Sequence, residues 1–233
     1  TLADLLGSIE VRRFRLISSD KNDDYDIAFV EGSITTESDA ARLKNIRQQA
    51  KILVAIGACA CFGGVQNLKE RFPLEETVKE VYGTFDIDTG HVRRLSDVVP
   101  VDIELPGCPI SKSEFEWLVR HLILGLEPQF PQYPVCVECK QRLNACVFDM
   151  GMMCLGPVTR AGCDAICPRN HLGCWGCRGP ADEANFESLF ELIRERGFPE
   201  RQIAERISFF NAFSGITPVP DLGAPGSIKS PHP

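Results

Sequence analysis

The sequence predicts an α/β protein in which a parallel sheet precedes a mostly irregular or helical, cysteine-rich segment. Short runs rich in β-branched residues, bounded by Gly or Asp, alternate with helical patterns in the first half of the chain. In the second half, eight of the eleven cysteines fall between Cys136 and Cys177, among many Gly and Pro residues. We therefore expect a sheet domain over residues 1–128 and a second domain over residues 129–233.

Four runs in the first half are predicted to be strands. They are 9–16, 25–30, 51–56 and 101–105. A helix is predicted between the second and third strands, because Ala40, Leu43 and Ile46 recur with helical spacing and Thr35 or Thr36 can cap it. Because strands alternate with helices, the sheet should be parallel and covered on both faces.

A second helix is predicted to begin at Ser111, where the spacing to Glu114 indicates a capping box, and to end at Gly125. In the second half, apolar periodicity predicts one helix from about 184 to Gly197 and another through Ile203 and Phe210. The last twenty residues, rich in Pro and Gly, are expected to form an irregular tail that is mobile or lies on a partner.

Composition excludes some classes of function. The formal net charge is −7, and no run of Lys and Arg forms a basic surface, which disfavours nucleic acid and anionic membranes as partners. The longest apolar stretch, 52–62, is far shorter than a bilayer span, so we expect a protein that is not membrane-embedded. No signal peptide is visible, although the sequence begins at Thr1.

The eight clustered cysteines divide into two consecutive groups of four. The first cysteine set is Cys136, Cys139, Cys146 and Cys154, and the second cysteine set is Cys163, Cys167, Cys174 and Cys177. Disulfides, structural zinc and two iron–sulfur cubanes are the alternatives. Single cysteines between the terminal Cys-x2-Cys pairs fit a zinc ribbon poorly, and Cys167 followed by Pro168 is typical of ferredoxin-like binding. The pattern favours two iron–sulfur centres and leaves the other two alternatives open.

Two further cysteines follow predicted strands. Cys59 follows the third strand and Cys108 follows the fourth, each on a Gly-bearing turn, and Glu31 follows the second. Ligands of open parallel sheets bind beyond the carboxyl ends of the strands, so these residues should lie at one functional edge. Two unrelated buried cysteines, and a solvated carboxylate at Glu31, are the alternatives.

Four motifs carry a resemblance to a known family. They are Val30–Ser33, Ile56–Gly64, Pro106–Pro109 and Cys154–Cys163, and together they resemble the small subunit of [NiFe] hydrogenases, over about 25–213. The runs 135–140 and 173–180 are most similar to cytosolic, multi-subunit members. These are the delta-type subunit of NAD(P)-linked sulfhydrogenases and its relatives in F420-reducing and heterodisulfide-reductase-linked enzymes.

The resemblance implies a flavodoxin-like domain with a proximal cluster, followed by a domain with medial and distal clusters. By motif, Cys59 and Cys108 would be two proximal ligands, the first cysteine set would bind the distal cluster and the second the medial cluster. Both sets are all cysteine, so two [4Fe–4S] centres are expected. The family's upstream Cys-x2-Cys pair would complete the proximal site, and we expect it before Thr1. Cys61 is expected to be a packed thiol, with substitution for a missing ligand as the alternative.

The implied function is electron relay in the cytoplasm, with no catalytic residue in this chain. Electrons would pass between a NiFe centre in a separate large subunit and a flavin/NAD(P)-type or ferredoxin-type partner subunit. Two other functions are weighed: a cluster subunit related to respiratory complex I, and a zinc-stabilised scaffold subunit. The sequence does not distinguish NAD, NADP, F420 or another carrier as the acceptor.

Overall fold

A computed structural model of the protein describes residues 10, 25–85 and 87–215. Except for Glu10, the predicted strand at 9–16 lies outside these described residues, as does the tail from 216 onward. The strands are β1 (Ile27–Glu31), β2 (Ile52–Ile56) and β3 (Ile103–Leu105). The α-helices are α1 (Glu37–Gln49), α2 (Gly57–Phe62), α3 (Leu74–Tyr82), α4 (Lys112–Ile123), α5 (Val135–Gln141), α6 (Ile166–Arg169), α7 (Phe186–Glu195) and α8 (Glu200–Ser208). Short 3-10 helices span Gly64–Arg71, Leu95–Asp97 and Val147–Met150.

The three strands form a parallel sheet in the order β1-β2-β3, which confirms the predicted fold class. Ile27 of β1 lies opposite Ile52 of β2, and Ile56 of β2 lies opposite Leu105 of β3. Because all three strands run the same way, their carboxyl ends meet at one edge. The residues that follow Glu31, Ile56 and Leu105 therefore begin at that edge.

Both faces of the sheet are covered, as the alternation of strands and helices predicts. On one face, Leu53 and Ala55 pack with Ala40 and Leu43 of α1. On the other face, Val54 and Leu105 pack with Leu118 of α4. Alternate residues of β2 thus pack into the cores on opposite faces of the sheet, which is why that strand is apolar throughout.

Helix caps explain where the two long helices of the first half begin. The Thr36 side chain accepts a hydrogen bond from the Asp39 backbone at 3.0 Å, and the Ser111 side chain accepts one from Glu114 at 3.4 Å. The predicted capping box is nevertheless wrong in its second half, because the Glu114 carboxylate does not return to its own helix. It is buried and pairs with Arg178 from the second half of the chain.

The turn predicted after β2 is instead the start of helix α2. Gly57 has a φ of +85°, which turns the chain out of the strand and directly into the helix. No sequence signal marks this helix, because it is six residues long and no side chain caps it. Helix α3 and the 3-10 helix before it also lie where the sequence predicted no element.

The second half has its own apolar core, in which Phe190, Ile193, Ile203 and Ile207 of α7 and α8 pack around the cysteine segment. The two helices confirm the apolar periodicity. Helices α5 and α6 are only seven and four residues long, too short to show a period. Contacts join the two halves: Ala58 of α2 packs with Phe210 and Ala212, and the Asn211 side chain donates a hydrogen bond to the Phe62 carbonyl at 2.8 Å.

Candidate iron–sulfur sites

Cys59 and Cys108 lie together at the carboxyl edge of the sheet. Cys59 is in the first turn of α2 and Cys108 follows β3, and the Ala58 amide donates to the Gly107 carbonyl at 2.9 Å, which ties the two segments together. Burial raises the pKa of the Cys59 thiol, and the neighbouring Cys108 thiol raises it further. Cys108 itself is exposed. We call these two residues the sheet-edge pair.

The surroundings of the Cys59 sulfur are built from backbone. A side chain at Gly64 would place its Cβ 2.5 Å from the Cys59 Sγ, and Gly64 has a φ of +62°. The nearby backbone of Val65 and Gln66 lowers the pKa of Cys59, whereas the Glu31 charge at the same edge raises it. Backbone therefore lies close to this sulfur, as it does around the thiolate ligands of iron–sulfur clusters.

The four thiols of the first cysteine set face one another. Cys136 and Cys139 lie on α5, Cys146 precedes the 3-10 helix at Val147–Met150, and Cys154 lies on the loop after it. Burial raises the pKa of Cys136 to about 12, and the Cys154, Cys139 and Cys146 thiols contribute in that order. The other three members of the set therefore all lie near the Cys136 thiol.

Gly156 lies directly against two sulfurs of this set. A Cβ at Gly156 would lie 3.2 Å from the Cys154 Sγ and 3.5 Å from the Cys136 Sγ, so the sulfurs are less than about 7 Å apart. The Gly156 amide also donates to the Cys154 Sγ at 3.4 Å. Two ligand-type sulfurs and a donating amide are thus close neighbours here, an arrangement found around iron–sulfur clusters.

In the second cysteine set, Cys177 interacts electrostatically with each of the other three members. Cys167 lies on α6, and Cys163, Cys174 and Cys177 lie on the loops before and after it. Burial raises the pKa of Cys177 to about 11, with smaller contributions from the Cys163 and Cys167 thiols. Burial raises the pKa of Cys174 well above its usual range, and the Gly176 amide donates to its Sγ at 3.5 Å.

The three cysteine groups contact one another in a fixed order. The backbone of Cys108, in the sheet-edge pair, lies close enough to the thiol of Cys177 in the second set to lower its pKa. The backbone amide of Cys174 in the second set donates to the Cys154 Sγ of the first set at 3.2 Å. The second set therefore lies between the sheet-edge pair and the first set, although it comes last in the sequence.

A buried ion pair joins the sheet-edge pair to the second set. Arg178, next to Cys177, donates to both carboxylate oxygens of Glu114 on α4, at 2.6 and 2.8 Å. It also donates to the carbonyl oxygens of Pro106 and Ala161, each at 2.8 Å. Burial raises the pKa of Glu114, and the guanidinium offsets part of that rise. Sequence reasoning missed this pair, because Glu114 fits a capping box equally well.

The remaining cysteine, Cys61, is buried in the core of the sheet, where its Sγ lies 3.7 Å from the Ala55 carbonyl oxygen. That position confirms a packed thiol. All eleven cysteines are described, and all are free thiols, so the disulfide alternative is wrong. Within residues 10, 25–85 and 87–215, no three His, Cys, Asp or Glu side chains lie close enough together to bind one metal ion. Among the same residues, no helix is both long enough and apolar enough to cross a membrane.

Comparison with known proteins identifies relatives of this chain. The family model of the NADH ubiquinone oxidoreductase 20 Kd subunit matches residues 1–122. The sulfhydrogenase 2 subunit delta of Pyrococcus furiosus is 37% identical over 213 residues, covering 90% of this chain and 89% of the relative. The vhu F420-non-reducing hydrogenase of Methanococcus voltae has a subunit that is 28% identical over 248 residues, covering 91% of this chain and 86% of the relative.

A solved structure agrees with these relatives. A chain of an NAD+-reducing [NiFe]-hydrogenase in its H2-reduced state superimposes with a TM-score of 0.52 and 28% sequence identity, covering 56% of this chain and 82% of that one. The relatives make this chain a subunit of an oxidoreductase, and its thiol groups fit iron–sulfur clusters. The chain therefore belongs to the family of the NADH ubiquinone oxidoreductase 20 Kd subunit and, within it, to the small subunits of [NiFe] hydrogenases.

Proposed function

We propose that this chain conducts electrons in a cytoplasmic [NiFe] hydrogenase complex. The first and second cysteine sets would each hold a [4Fe–4S] cluster, and the sheet-edge pair would supply two ligands of a third, proximal cluster. A cluster in each site would supply one-electron transfer. In this proposal, hydrogen chemistry belongs to a NiFe centre in the large subunit, and this chain has no catalytic residue.

The observation that carries the proposal is the order of the three sites. The Cys108 backbone lies beside the Cys177 thiol, and the Cys174 amide donates a hydrogen bond to the Cys154 sulfur, so adjacent sites are in contact. Such direct contact brings successive redox centres close together. The order also agrees with proximal, medial and distal roles for the sheet-edge pair, the second set and the first set.

The chain's own residues would bind, orient and shield the clusters. Thiols must lose their protons to become ligands, and metal binding drives that loss even where burial raises the pKa. Amides of Gly156, Cys174 and Gly176 point at ligand sulfurs, and hydrogen bonds of this kind help set cluster potentials. Apolar residues of α7 and α8 surround the same segment and limit the access of water.

The division into domains at 128/129 and the identity of the partners are part of the proposal. Separate apolar cores on the two sides of that boundary support the division. The sheet-edge pair, with exposed Cys108, would face the large subunit. A flavin/NAD(P)-type subunit is the favoured acceptor, because the relatives include a sulfhydrogenase subunit and an NAD+-reducing enzyme. A ferredoxin-type subunit is the alternative partner.

A cluster subunit of a complex I-type enzyme is the second candidate. The name of the matching family favours it, but the match covers residues 1–122 and stops before both cysteine sets. A complex I-type subunit would bind a cluster at the sheet-edge site but would not require the eight cysteines that follow it in the sequence. Hydrogen-dependent activity of the purified complex separates the two candidates.

The test of the relay is the variant Cys136→Ser in the assembled complex, with Cys61→Ala as the matched control. Because the first set lies last in the relay, Cys136→Ser should slow hydrogen-driven reduction of the external acceptor at least tenfold. Hydrogen isotope exchange at the large subunit should stay largely intact. The control should change neither rate. Equal loss of both activities in an assembled Cys136→Ser complex would contradict the proposed order.

A further inference from the structure

One arginine of the second half lies against the cysteine segment without a carboxylate partner. Arg206 is on α8, whose Ile203 and Ile207 pack in the same core as Cys154 and Cys174. Its guanidinium carbon lies 3.5 Å from the centre of the Trp175 ring. Trp175 follows Cys174 directly, so the stacking holds the guanidinium beside the second cysteine set.

The hydrogen-bonding groups of Arg206 are incompletely used. Its Nη1 is buried and, among the described residues, has no hydrogen-bond partner. No Asp or Glu of the described part forms an ion pair with it, whereas Arg178, Arg194 and Arg201 each pair with a glutamate. Arg206 as a whole is half-buried, but a buried N–H donor without a partner costs free energy unless an acceptor or a negative group lies near it.

The ionisable groups close enough to act on the charge of Arg206 are cysteines from both sets. Burial lowers the pKa of its guanidinium, and the Cys154, Cys174 and Cys167 thiols act in the opposite direction. Cys154 belongs to the first set, and Cys174 and Cys167 belong to the second. Arg206 therefore lies where the sulfur shells of two clusters would meet.

We propose that Arg206 tunes the clusters of the two cysteine sets, by presenting a fixed positive charge and a free N–H donor to their shared sulfur shell. The inference rests on the proposed function, since it requires clusters in those sets. Reduction adds one electron to [4Fe–4S]²⁺ and gives [4Fe–4S]⁺, with dithionite as the electron donor in a titration. The added negative charge lies close to the guanidinium. Arg206 thus stabilises the reduced form more than the oxidised form and raises the reduction potential.

The test is a redox titration of the anaerobically purified complex, followed by electron paramagnetic resonance. Arg206→Gln removes the charge, Arg206→Lys keeps it, and Arg201→Gln breaks an exposed ion pair on the same helix as the matched control. At the wild-type midpoint potential, Arg206→Gln should lower the ratio of reduced to oxidised cluster about tenfold, which corresponds to about 59 mV for one electron. The Lys variant and the control should change that ratio less than about threefold.

Iron content measured on the same samples makes each outcome decisive. Unchanged potentials in Arg206→Gln, with full iron, would overturn the tuning role. Loss of iron from both Arg206 variants would make Arg206 an assembly residue and would also overturn it. Loss of iron from the Gln variant alone would support the tuning role. It would show that the sulfur shell requires a positive charge at this position, which Lys supplies and Gln does not. Absence of any iron–sulfur signal in the wild-type complex would instead reject the proposed function itself.

Discussion

At the scale of single residues, the Arg178–Glu114 pair is the interaction that most directly joins the two halves. Its side chains are 1% and 7% exposed, so neither charge can be solvated if the other is removed. Breaking a buried pair by neutralising one partner typically costs about 3–5 kcal/mol. We expect Glu114→Gln to lower the free energy of unfolding by that amount, measured as a large drop in the midpoint of thermal unfolding.

The control for this prediction is Glu205→Gln, which removes an exposed ion pair with Arg201. Such pairs contribute about 0.5 kcal/mol, so the control should leave the midpoint almost unchanged. The double variant Glu114→Gln with Arg178→Met should recover part of the loss, since no buried charge remains. If Glu114→Gln and Glu205→Gln lowered the unfolding midpoint equally, burial would not determine how much an ion pair contributes to the stability of this protein.

A second prediction at this scale concerns Gly156. Gly156→Ala would place a methyl group 3.2 Å from the Cys154 Sγ and 3.5 Å from the Cys136 Sγ, inside the first cysteine set. We expect loss of the cluster from that set, about four iron atoms per chain, with the second set retained. Gly151→Ala is the control for backbone strain: Gly151 has a φ of +74°, but no heavy atom lies within 4 Å of its Cβ position, so this variant should keep its iron. Full iron in Gly156→Ala would argue against a cluster beside Gly156.

At the scale of elements, caps control the helices that cover the sheet. Thr36 caps α1 through its hydroxyl group, which accepts from the Asp39 amide. We expect Thr36→Ala to destabilise the protein by about 1 kcal/mol, and Thr36→Ser to restore most of that. Urea unfolding measures the difference. Because α1 packs in the sheet core and not in the core that contains the cysteine sets, the iron content of both variants should equal that of the wild type.

The elements also show what sequence patterns can and cannot predict. Strands β1 to β3 and helices α1, α4, α7 and α8 have clear apolar periods and caps, and the sequence predicts all of them. Helices α2, α5 and α6 are too short for a period to be visible. Their positions depend on tertiary contacts such as the hydrogen bond from Ala58 to Gly107. These short helices carry Cys59, Cys136, Cys139 and Cys167, so local structure around the sites was the least predictable part.

At the scale of the whole molecule, the spatial order of the cysteine groups could not be derived from spacing. Sequence spacing separates two sets of four, but it does not show which set is nearer the sheet. The contact between the Cys108 backbone and Cys177, together with the Arg178–Glu114 pair, places the second set beside the sheet. Ligation of clusters by these cysteines stays a prediction. Their proximal, medial and distal roles come from the resemblance to hydrogenase small subunits.

Metal removal should make the stability of the protein sensitive to alkaline pH. Without metal, burial raises the pKa of Cys136 to about 12 and of Cys177 to about 11, from the usual 9.0. Below pH 9 the thiols stay protonated in both the folded and unfolded states and contribute no difference. Between pH 9 and about 11 the unfolded chain loses these protons first, so the stability of the folded apoprotein falls as pH rises.

Thermal unfolding of the apoprotein and of the metal-loaded protein at pH 8 and 10 checks this prediction. The midpoint should fall more in the apoprotein, because metal-bound thiolates have already lost their protons. Replacing Cys136 by Ser should reduce the fall in the apoprotein. A midpoint that is equally pH-dependent with and without metal would show that the cysteines are not its cause.

The central claim is that the two cysteine sets each hold a [4Fe–4S] cluster, and metal analysis of the anaerobically purified complex tests it most directly. Iron and acid-labile sulfide are compared among the wild type, Cys139→Ser, Cys163→Ser and the double variant. Clusters in other sites contribute the same amount to every sample, so the differences report the two cysteine sets alone. Each single variant should lose about four iron and four sulfide per chain, and the double variant about eight of each. Zinc in place of iron, or iron unchanged by either substitution, would contradict the claim.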